Sequence, residues 1–327
     1  MSGTSRPAVN PVTGPESTSH RGESLPFVLF RDFSAAYDVF PLKVIDIDGT
    51  LRKEIVSPLV DSLAAHVPSL LIKDLSDIQR LTKLRTPSNV YVVTLDGGTY
   101  FPHYDFSISV TRTALTVGTV ASGPYARVPR DGSPHLTTRG IQLERHYRTH
   151  GYGRPIVLCD DGIGTGQSLS RIVSILRSLS ITIDRILVLV NPDQLPHIDR
   201  IDVASLYDDI HACLWLNERD LFWGLPRSGL SYAPSDAFLA ECGIPYTIDV
   251  KMVQERIGLA RDIAESFRHD CLQANVKFWE RLELHHSRPL TSADCPRLLL
   301  PVGPLNDPGS RIVDYIRSID DPSFTYL

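Results

Sequence analysis

Residues 156–168 read Ile-Val-Leu-Cys-Asp-Asp-Gly-Ile-Gly-Thr-Gly-Gln-Ser, and this stretch says most about how the chain folds. Four apolar residues, typical of a buried strand, run directly into the neighbouring carboxylates of Asp160 and Asp161. A loop of small residues follows. The apolar residues after the loop recur at helical spacing: Leu169, Ile172, Val173, Leu176 and Leu179. The order of elements is therefore strand, acidic pair, small-residue loop and helix.

The loop between strand and helix has the composition of a phosphate-binding loop. Glycine lets the backbone approach a ligand closely, and the hydroxyls of Thr165 and Ser168 can donate hydrogen bonds. The start of the helix adds unpaired N–H groups and a partial positive charge. The carboxylates of Asp160 and Asp161 suit sugar hydroxyls, or a magnesium ion with its water shell. A phosphate beside a sugar predicts a ribose phosphate as the ligand.

The segment resembles the phosphoribosyl pyrophosphate (PRPP) signature of the type I phosphoribosyltransferases, in which four apolar residues, an acidic pair and a Thr-Gly-x-Ser/Thr loop follow one another. Gly162 and Gly164 depart from the pattern, because the family usually carries larger residues there. The resemblance implies a loop that binds the 5-phosphate of PRPP, formed by Gly162, Ile163, Gly164, Thr165, Gly166, Gln167 and Ser168. It also implies that Asp160 and Asp161 are catalytic residues, which hold the ribose hydroxyls, stabilise positive charge on the ring and bind Mg²⁺ through water.

Two further buried strands flank the signature. Arg185 to Val190 runs into Asn191 to Gln194, and orotate-type members of the family have a similar strand before a short acidic turn. Val90 to Leu95 runs into a second loop, which begins 64 residues before Asp160. In the family, a Gly-containing loop at about this place binds pyrophosphate, which implies that role for Asp96, Gly97, Gly98 and Thr99. This loop lacks the Lys or Arg that family members often carry, and Asp-Gly-Gly is also ordinary turn chemistry.

A basic segment lies between the two loops. Residues 111–150 carry six arginines against two acidic residues: Arg112, Arg127, Arg130, Arg139, Arg145 and Arg148 against Asp131 and Glu144. Glycines predict that much of the segment is loop: Gly118, Gly123, Gly132 and Gly140. In the family, a mobile basic loop from this part of the chain closes over the pyrophosphate, whose oxygens arginine can bind in pairs. A solvated basic loop without a ligand is the structural alternative.

The composition is that of an ordinary globular protein. Lys and Arg number 33 against 38 Asp and Glu, so the charge gives no reason to expect nonspecific binding to nucleic acid. No apolar run is long enough to cross a membrane. Residues 1–25 lack an apolar stretch and are predicted to be a disordered tail, not a secretion signal. Widely spaced cysteines favour a reducing cytoplasm and argue against a zinc site or a disulfide framework.

The alternation of strands and helices over residues 90–222 predicts an α/β fold with a parallel β-sheet flanked by helices on both faces. Ligands bind such sheets beyond the carboxyl ends of the strands. The resemblance implies a type I phosphoribosyltransferase-like domain over residues 26–222, with a hood-like region before its core at 90–222. Residues 223–327 are expected to form a mostly helical C-terminal extension. Within it, Lys251 to Leu284 is predicted to be a long amphipathic helix or pair that docks on the core or forms a dimer contact.

A competing motif lies at residues 46–51, Asp-Ile-Asp-Gly-Thr-Leu, which matches the nucleophile motif of haloacid-dehalogenase-type phosphatases. There Asp46 would attack phosphorus and Asp48 would act as general acid. Thr94 and the acidic pair at 160–161 could supply later motifs of that family. Asp48-Gly49 is also a strong two-residue hairpin signal between Lys43 to Ile47 and Thr50 to Val56. The hairpin is preferred, because the phosphatase reading leaves the Thr-Gly-Gln-Ser loop unexplained.

The sequence therefore predicts a cytoplasmic enzyme, a phosphoribosyltransferase that moves the 5-phosphoribosyl group from Mg-PRPP to a nitrogen acceptor and releases pyrophosphate. The expected partners are PRPP and a small-molecule acceptor, most simply a nucleobase, with Mg²⁺ as cofactor and without nucleic acid or membrane. A homodimer is common in the family. Catalysis would rest on positioning and electrostatics, without a protein nucleophile. The alternatives are a non-catalytic PRPP or nucleotide sensor, and a phosphatase that uses Asp46 and Asp48.

Overall fold

The computed structural model describes residues 26–43, 49–108, 110–114, 125–129, 136–164, 166–211, 213–226, 228, 230–235, 238–295, 307 and 309–319. The predicted tail at 1–25, Asp46 and Asp48 of the phosphatase motif, and Thr165 of the phosphate loop lie outside the described residues. Within the described elements, the side chains of Gln167, Ser168 and residues 110–114, 125–129, 136–137, 230–235, 238–242 and 244 are also not described.

The described elements alternate along the chain. The strands are β1 (Phe27–Arg31), β2 (Leu70–Asp74), β3 (Tyr91–Thr94), β4 (Phe106–Ser107), β5 (Val110–Ala114), β6 (Tyr125–Pro129), β7 (Ile156–Gly162), β8 (Arg185–Val190), β9 (His197–Ile198), β10 (Ile201–Ser205), β11 (Leu214–Asn217), β12 (Leu230–Ser235) and β13 (Phe238–Ile244). The α-helices are α1 (Phe33–Asp38), α2 (Ser57–His66), α3 (Leu75–Arg85), α4 (Leu136–His150), α5 (Gln167–Ser178), α6 (Val250–Ile257), α7 (Arg261–His286) and α8 (Ile312–Ile319). A π-helical turn, Arg52–Val56, leads into α2, and 3₁₀ turns lie at Glu218–Leu221 and Tyr246–Ile248.

A six-stranded sheet in the order β4-β3-β7-β8-β10-β9 forms the centre of the molecule within the described residues. Its neighbouring strands are parallel except for the β9–β10 hairpin. The predicted α/β fold with a parallel sheet flanked by helices is confirmed. The strands predicted at Val90 to Leu95 and Arg185 to Val190 are present as β3 and β8, and the helix predicted after the small-residue loop is α5.

The two faces of the central sheet are covered differently. Helices α4 and α5 cover one face, where Leu143 and Val173 share a core with Val93 and Leu158. The opposite face packs against α3 and against a second sheet, so that Phe30 of β1 shares a core with Val92 and Leu189. Helices were expected on both faces of the central sheet. On this second face, however, much of the cover is a second sheet, with α3 beside it.

The second sheet has three parallel strands in the order β11-β1-β2. Its other face packs against helices from both ends of the chain: Phe27 and Leu29 share one core with Leu63 of α2 and Phe278 of α7. Lys251 to Leu284 forms a pair of helices, α6 and α7, that docks on this core. In the part of the chain that the structure describes, no helix has the length and apolar character needed to cross a membrane.

The basic segment is more regular than its glycines predicted. A third sheet, in the order β13-β12-β5-β6, includes residues 110–114 and 125–129, and α4 occupies Leu136–His150. The prediction that much of the segment is loop is therefore wrong for these residues. Gly140 lies inside α4, where an added Cβ would come within 2.5 Å of Cδ1 of Leu179. This glycine serves close helix packing, not a turn.

The hairpin predicted around Asp48-Gly49 is also wrong in its second strand, because residues 50–66 are helical. Ile55, Leu59 and Leu63 recur at helical spacing and are buried against the second sheet and α7. Burial of this face outweighs the local turn signal. The helix predicted at Ser57 to His66 is present with those bounds.

Candidate functional site

The two predicted ligand loops lie side by side. Strands β3 and β7 are direct parallel neighbours in which Thr94 pairs with Cys159, and the N–H of Leu95 donates to the carbonyl of Cys159 at 2.9 Å. Because both strands end at the same edge, the loop at Asp96 and the acidic pair at Asp160 begin next to each other. This edge is where α/β sheets bind ligands.

The acidic pair has one buried and one accessible member. Asp160 is 3 % exposed, and its Oδ1 accepts a hydrogen bond from the backbone N–H of Asp161 at 3.1 Å. Asp161 is half-buried. Only Asp161 of the pair therefore presents a carboxylate with substantial access to a ligand.

The small-residue loop turns from β7 into α5 through glycine. Gly166 has a φ of 74°, the left-handed region that favours glycine, and it stands immediately before the first turn of α5. Gly164 is exposed, and an added Cβ there would meet nothing within 4 Å. The backbone at 164 is therefore open to an incoming group, next to the N–H groups of the helix start.

Gly162, one of the two departures from the family pattern, has a structural reason. An added Cβ at Gly162 would lie 2.7 Å from the indole of Trp215 and 2.9 Å from Cγ2 of Val190. Trp215 belongs to β11 of the second sheet and packs directly on the backbone of β7. The volume of an aliphatic side chain at this position is thus supplied by a tryptophan from another part of the chain.

The carboxylate of Asp96 is used within its own loop. It accepts hydrogen bonds from the backbone N–H groups of Gly98 and Tyr100, both at 2.7 Å, and from the hydroxyl of Thr94. Asp96 therefore shapes the loop, and it is 4 % exposed. The buried hydroxyl of Thr94 is occupied by this bond, so it is not free for the role that the phosphatase reading gives it.

Four buried residues form a polar cluster beneath both loops: Asp32, Tyr100, Asn217 and Arg219. Arg219 binds Asp32 twice, through its backbone N–H to Oδ1 at 3.1 Å and through Nη1 to Oδ2 at 3.0 Å. The hydroxyl of Tyr100 lies 2.6 Å from Oδ2 of Asp32 and 2.7 Å from Oδ1 of Asn217. We call these four residues the buried polar cluster.

Side chains of the buried polar cluster contact both of the predicted loops. Nδ2 of Asn217 donates to Oδ2 of Asp161 at 3.3 Å, and Nη1 of Arg219 donates to the hydroxyl of Thr99 at 3.2 Å. Sequence reasoning missed this cluster, although a signal was present. Asp32 follows a buried strand, β1, and Asn217 is the last residue of another, β11.

Burial dominates the charges of the cluster. It raises the pKa of Asp32 more than the guanidinium of Arg219, 3.0 Å away, lowers it. Burial alone would lower the pKa of Arg219, but Asp32 and further acidic groups raise it above its usual value, so Arg219 stays charged. Burial and then Asp32 hold the pKa of Tyr100 well above its usual value. Its single hydroxyl hydrogen can be donated to only one of these two oxygens at a time, Oδ2 of Asp32 or Oδ1 of Asn217.

Among the arginines of the basic segment whose side chains are described, Arg139 lies at this edge. Its Nε donates to the carbonyl of Ser107 at 2.8 Å, and Ser107 pairs with Thr94 of β3. The guanidinium carbon lies 4.4 Å from the centre of the Phe106 ring, and partial burial lowers the pKa of Arg139. Arg148 instead pairs with Glu144, further along α4.

The turn after β8 is held by its first residue. Oδ1 of Asn191 accepts from the N–H of Leu195 at 3.1 Å, and Nδ2 donates to its carbonyl at 2.9 Å. The amide of Asn191 is therefore used within the turn. Asp193 and Gln194 are the exposed residues of this turn.

The donor set suits a weakly held magnesium ion more than a tightly held metal. Among the residues that the structure describes, no three His, Cys, Asp or Glu side chains are grouped closely enough to hold a metal ion. Magnesium that arrives with a phosphate ligand keeps several waters and needs only one or two protein carboxylates. Asp161 offers one such carboxylate.

Comparison with models of known protein families finds no match to this chain, and a search of curated protein sequences finds no similar protein. The proposal below therefore depends on the signature in the sequence and on the geometry of the loops.

Proposed function

We propose that this chain is a type I phosphoribosyltransferase-like enzyme that transfers the 5-phosphoribosyl group of Mg-PRPP to a nitrogen acceptor of nucleobase type. The proposal includes the finer fold assignment, with residues 26–89 as a hood-like region and residues 223–327 as an extension beyond the core. It also includes a cytoplasmic location.

The observation that carries the proposal is the meeting of two loops at the carboxyl ends of β3 and β7. One has the acidic pair followed by a glycine turn into α5, and the other is the tight loop at Asp96. A ligand with a phosphate, a ribose and a pyrophosphate has three groups to place, and this edge offers a helix start, a carboxylate and a second loop.

The chemistry assigned to each group follows from its exposure and charge. The turn at Gly164 to Gly166 would hold the 5-phosphate, and Asp161 would hold ribose hydroxyls and stabilise positive charge on the ring. The nitrogen lone pair forms the new C–N bond while the C–O bond to pyrophosphate breaks and its electron pair leaves with pyrophosphate. Magnesium, when bound, neutralises pyrophosphate, and Arg139 lies at the correct edge to contribute. The acceptor's proton is lost to solvent.

The test is release of pyrophosphate from Mg-PRPP in the presence of a panel of purines, pyrimidines and other amines. The variants Asp160→Asn and Asp161→Asn remove the acidic pair one member at a time. Asp208→Asn is the matched control, because Asp208 is exposed after β10 and has no part in either loop. We expect acceptor-dependent release by the wild type and by Asp208→Asn, and a loss of at least about 100-fold in Asp161→Asn.

Other results would point to the alternatives. Tight binding of PRPP without release under any acceptor would indicate a sensor. Release of phosphate from phosphate esters that Asp46→Asn abolishes and Asp161→Asn leaves unchanged would indicate the phosphatase. Absence of PRPP binding would show that the proposal is wrong.

A further inference from the structure

Three of the four residues of the buried polar cluster, all except Tyr100, lie at the ends of strands that the PRPP signature does not include. Asp32 follows β1, and Asn217 and Arg219 lie at the end of β11, both in the three-stranded sheet. These residues are separated from the two loops along the chain: Asn217 lies 56 residues from Asp161, and Arg219 lies 120 residues from Thr99. Besides the packing of Trp215 on Gly162, the second sheet therefore reaches the site through two polar side chains, Asn217 and Arg219.

We propose that Asn217 and Arg219 are positioning residues of the site: Asn217 orients the carboxylate of Asp161 toward the ribose, and Arg219 holds Thr99 and with it the pyrophosphate loop. The inference rests on the proposed function. It assigns to the second sheet the task of setting the distance between the ribose-binding and pyrophosphate-binding parts of the site.

The amide of Asn217 is held at both ends. Nδ2 faces Asp161 at 3.3 Å, while Oδ1 lies 2.7 Å from the hydroxyl of Tyr100. Tyr100 is completely buried and is itself held by Asp32 at 2.6 Å. Because these neighbours are buried and lie within 2.7 Å of each other, the amide has little room to turn away from Asp161.

Arg219 is also held by other members of the buried polar cluster. Two contacts to Asp32 fix its backbone and its guanidinium, and the contact from Nη1 to Thr99 then extends to the loop. Its Nε is buried without a hydrogen-bond partner among the described residues. An unpaired buried donor is unfavourable for stability, and apolar residues often replace a buried ion pair without loss. Fold stability alone is thus a weak reason for an arginine at this position.

The test separates the two contacts with two probes, ribose 5-phosphate and magnesium pyrophosphate, measured by titration calorimetry on the full chain. Asn217→Leu removes the hydrogen-bonding amide at similar volume. Thr99→Val removes the hydroxyl that accepts from Arg219 and donates to the carbonyl of Asp96 at 3.4 Å, and it leaves the pair of Arg219 with Asp32 intact. We expect Asn217→Leu to weaken the binding of ribose 5-phosphate by roughly 10- to 100-fold, which is the effect of one hydrogen bond to a charged group. The affinity for magnesium pyrophosphate should change by no more than about twofold. Thr99→Val should instead weaken the binding of magnesium pyrophosphate and leave the binding of ribose 5-phosphate nearly unchanged.

A double variant distinguishes positioning from direct contact with the ligand. If Asn217 acts through Asp161, adding Asn217→Leu to Asp161→Asn should have little further effect. The double variant should bind ribose 5-phosphate less than about threefold more weakly than Asp161→Asn alone. Glu283→Gln removes an ion pair in the C-terminal part of the chain and controls for a general loss of stability. The binding of both probes should be unchanged in this variant.

The outcomes are separable. If the wild type binds both probes but each variant weakens both equally, or neither, the positioning roles are wrong while the proposed function stands. If the wild type binds neither probe nor PRPP, the proposed function is wrong and the positioning roles fall with it.

Discussion

Two groups of strand ends meet at the proposed site, and they are built in opposite ways. The loops after β3 and β7 are rich in glycine, and Gly164 and Asp161 reach solvent there. The residues at the ends of β1 and β11 are buried and joined by an ion pair. The open loops can exchange solvent for a ligand, whereas the buried group keeps its geometry because any rearrangement would leave a charge unpaired. Under the proposed function, the binding residues and the positioning residues are thus drawn from different sheets.

The largest effect that tests this contrast should come from Asp32. Asp32→Ala leaves Arg219 as a buried charge without its partner, and we expect the free energy of unfolding to fall by about 3–5 kcal/mol. Asp161→Ala removes one long hydrogen bond at a half-buried position and should lower it by about 1 kcal/mol. Urea unfolding of the two variants measures both. Equal losses would show that the two groups of strand ends do not differ as described.

The contact between the sheets at Gly162 should give the next largest effect. Gly162→Ala places a methyl group against Trp215 and Val190, and we expect a loss of about 1–3 kcal/mol from overpacking. In the double variant with Trp215→Leu, the methyl group gains room. The double variant should therefore lose less stability than the sum of the two single variants. Additive losses in thermal or urea unfolding would mean that Trp215 does not pack on this backbone.

Within the small-residue loop, two glycines should respond differently to the same change. Gly166→Ala puts a side chain at a φ of 74°, and we expect a loss of about 1–2 kcal/mol together with weaker binding of ribose 5-phosphate. Gly164→Ala adds a methyl group in open space and should change stability by no more than about 0.5 kcal/mol. If unfolding and calorimetry ranked the pair in the reverse order, the left-handed turn into α5 would be wrong.

The last prediction concerns the ion pair of Glu283 with Arg311, which lies outside both groups of strand ends and should have a small effect on stability. Burial raises the pKa of Glu283, but hydrogen bonds from Arg311 and from the N–H of Leu290 lower it more, so its pKa lies below 4.5. A lowered folded-state pKa adds stability above the unfolded value, and this stability is lost as the pH falls through the folded pKa. Glu283→Gln should therefore cost about 1 kcal/mol at pH 7, and less at pH 3.

Urea unfolding at the two pH values checks this, with Glu255→Gln as the control. Glu255 pairs with Lys251 at 3.9 Å, and both side chains are exposed. Its substitution should have almost no effect at either pH. A loss in Glu283→Gln that grew on acidification would show that the sign of the pKa shift is wrong.

Much of the central sheet could be predicted, because the signals are local. The apolar runs at β3, β7 and β8 end in polar residues at the point where each strand ends. One local prediction was wrong because two local signals competed: Asp48-Gly49 favours a hairpin, while Ile55, Leu59 and Leu63 favour a helix. The buried helical face prevailed, since it contributes to the largest core of the molecule.

The buried polar cluster could not be predicted, because its contacts join distant parts of the chain. The N–H of Arg219 and the carboxylate of Asp32 lie 187 residues apart, and Tyr100 and Asn217 lie 117 apart. Each of these residues alone is an ordinary polar residue beside a strand. The pairing of β1 with β11 makes Asp32 a neighbour of Asn217 and Arg219, and the packing of this sheet on the central sheet brings Tyr100 to them.

The sequence by itself determined the strand, acidic pair, glycine loop and helix at residues 156–178, because burial periodicity and glycine conformation act over a few residues. It also determined that the loop at Asp96 and the acidic pair share one edge, since parallel strands end together. The tertiary structure alone decided which carboxylate is accessible, why Gly162 is a glycine, and that a second sheet contacts both loops. Those properties depend on burial and on contacts between remote residues, which exist only once the sheets have packed.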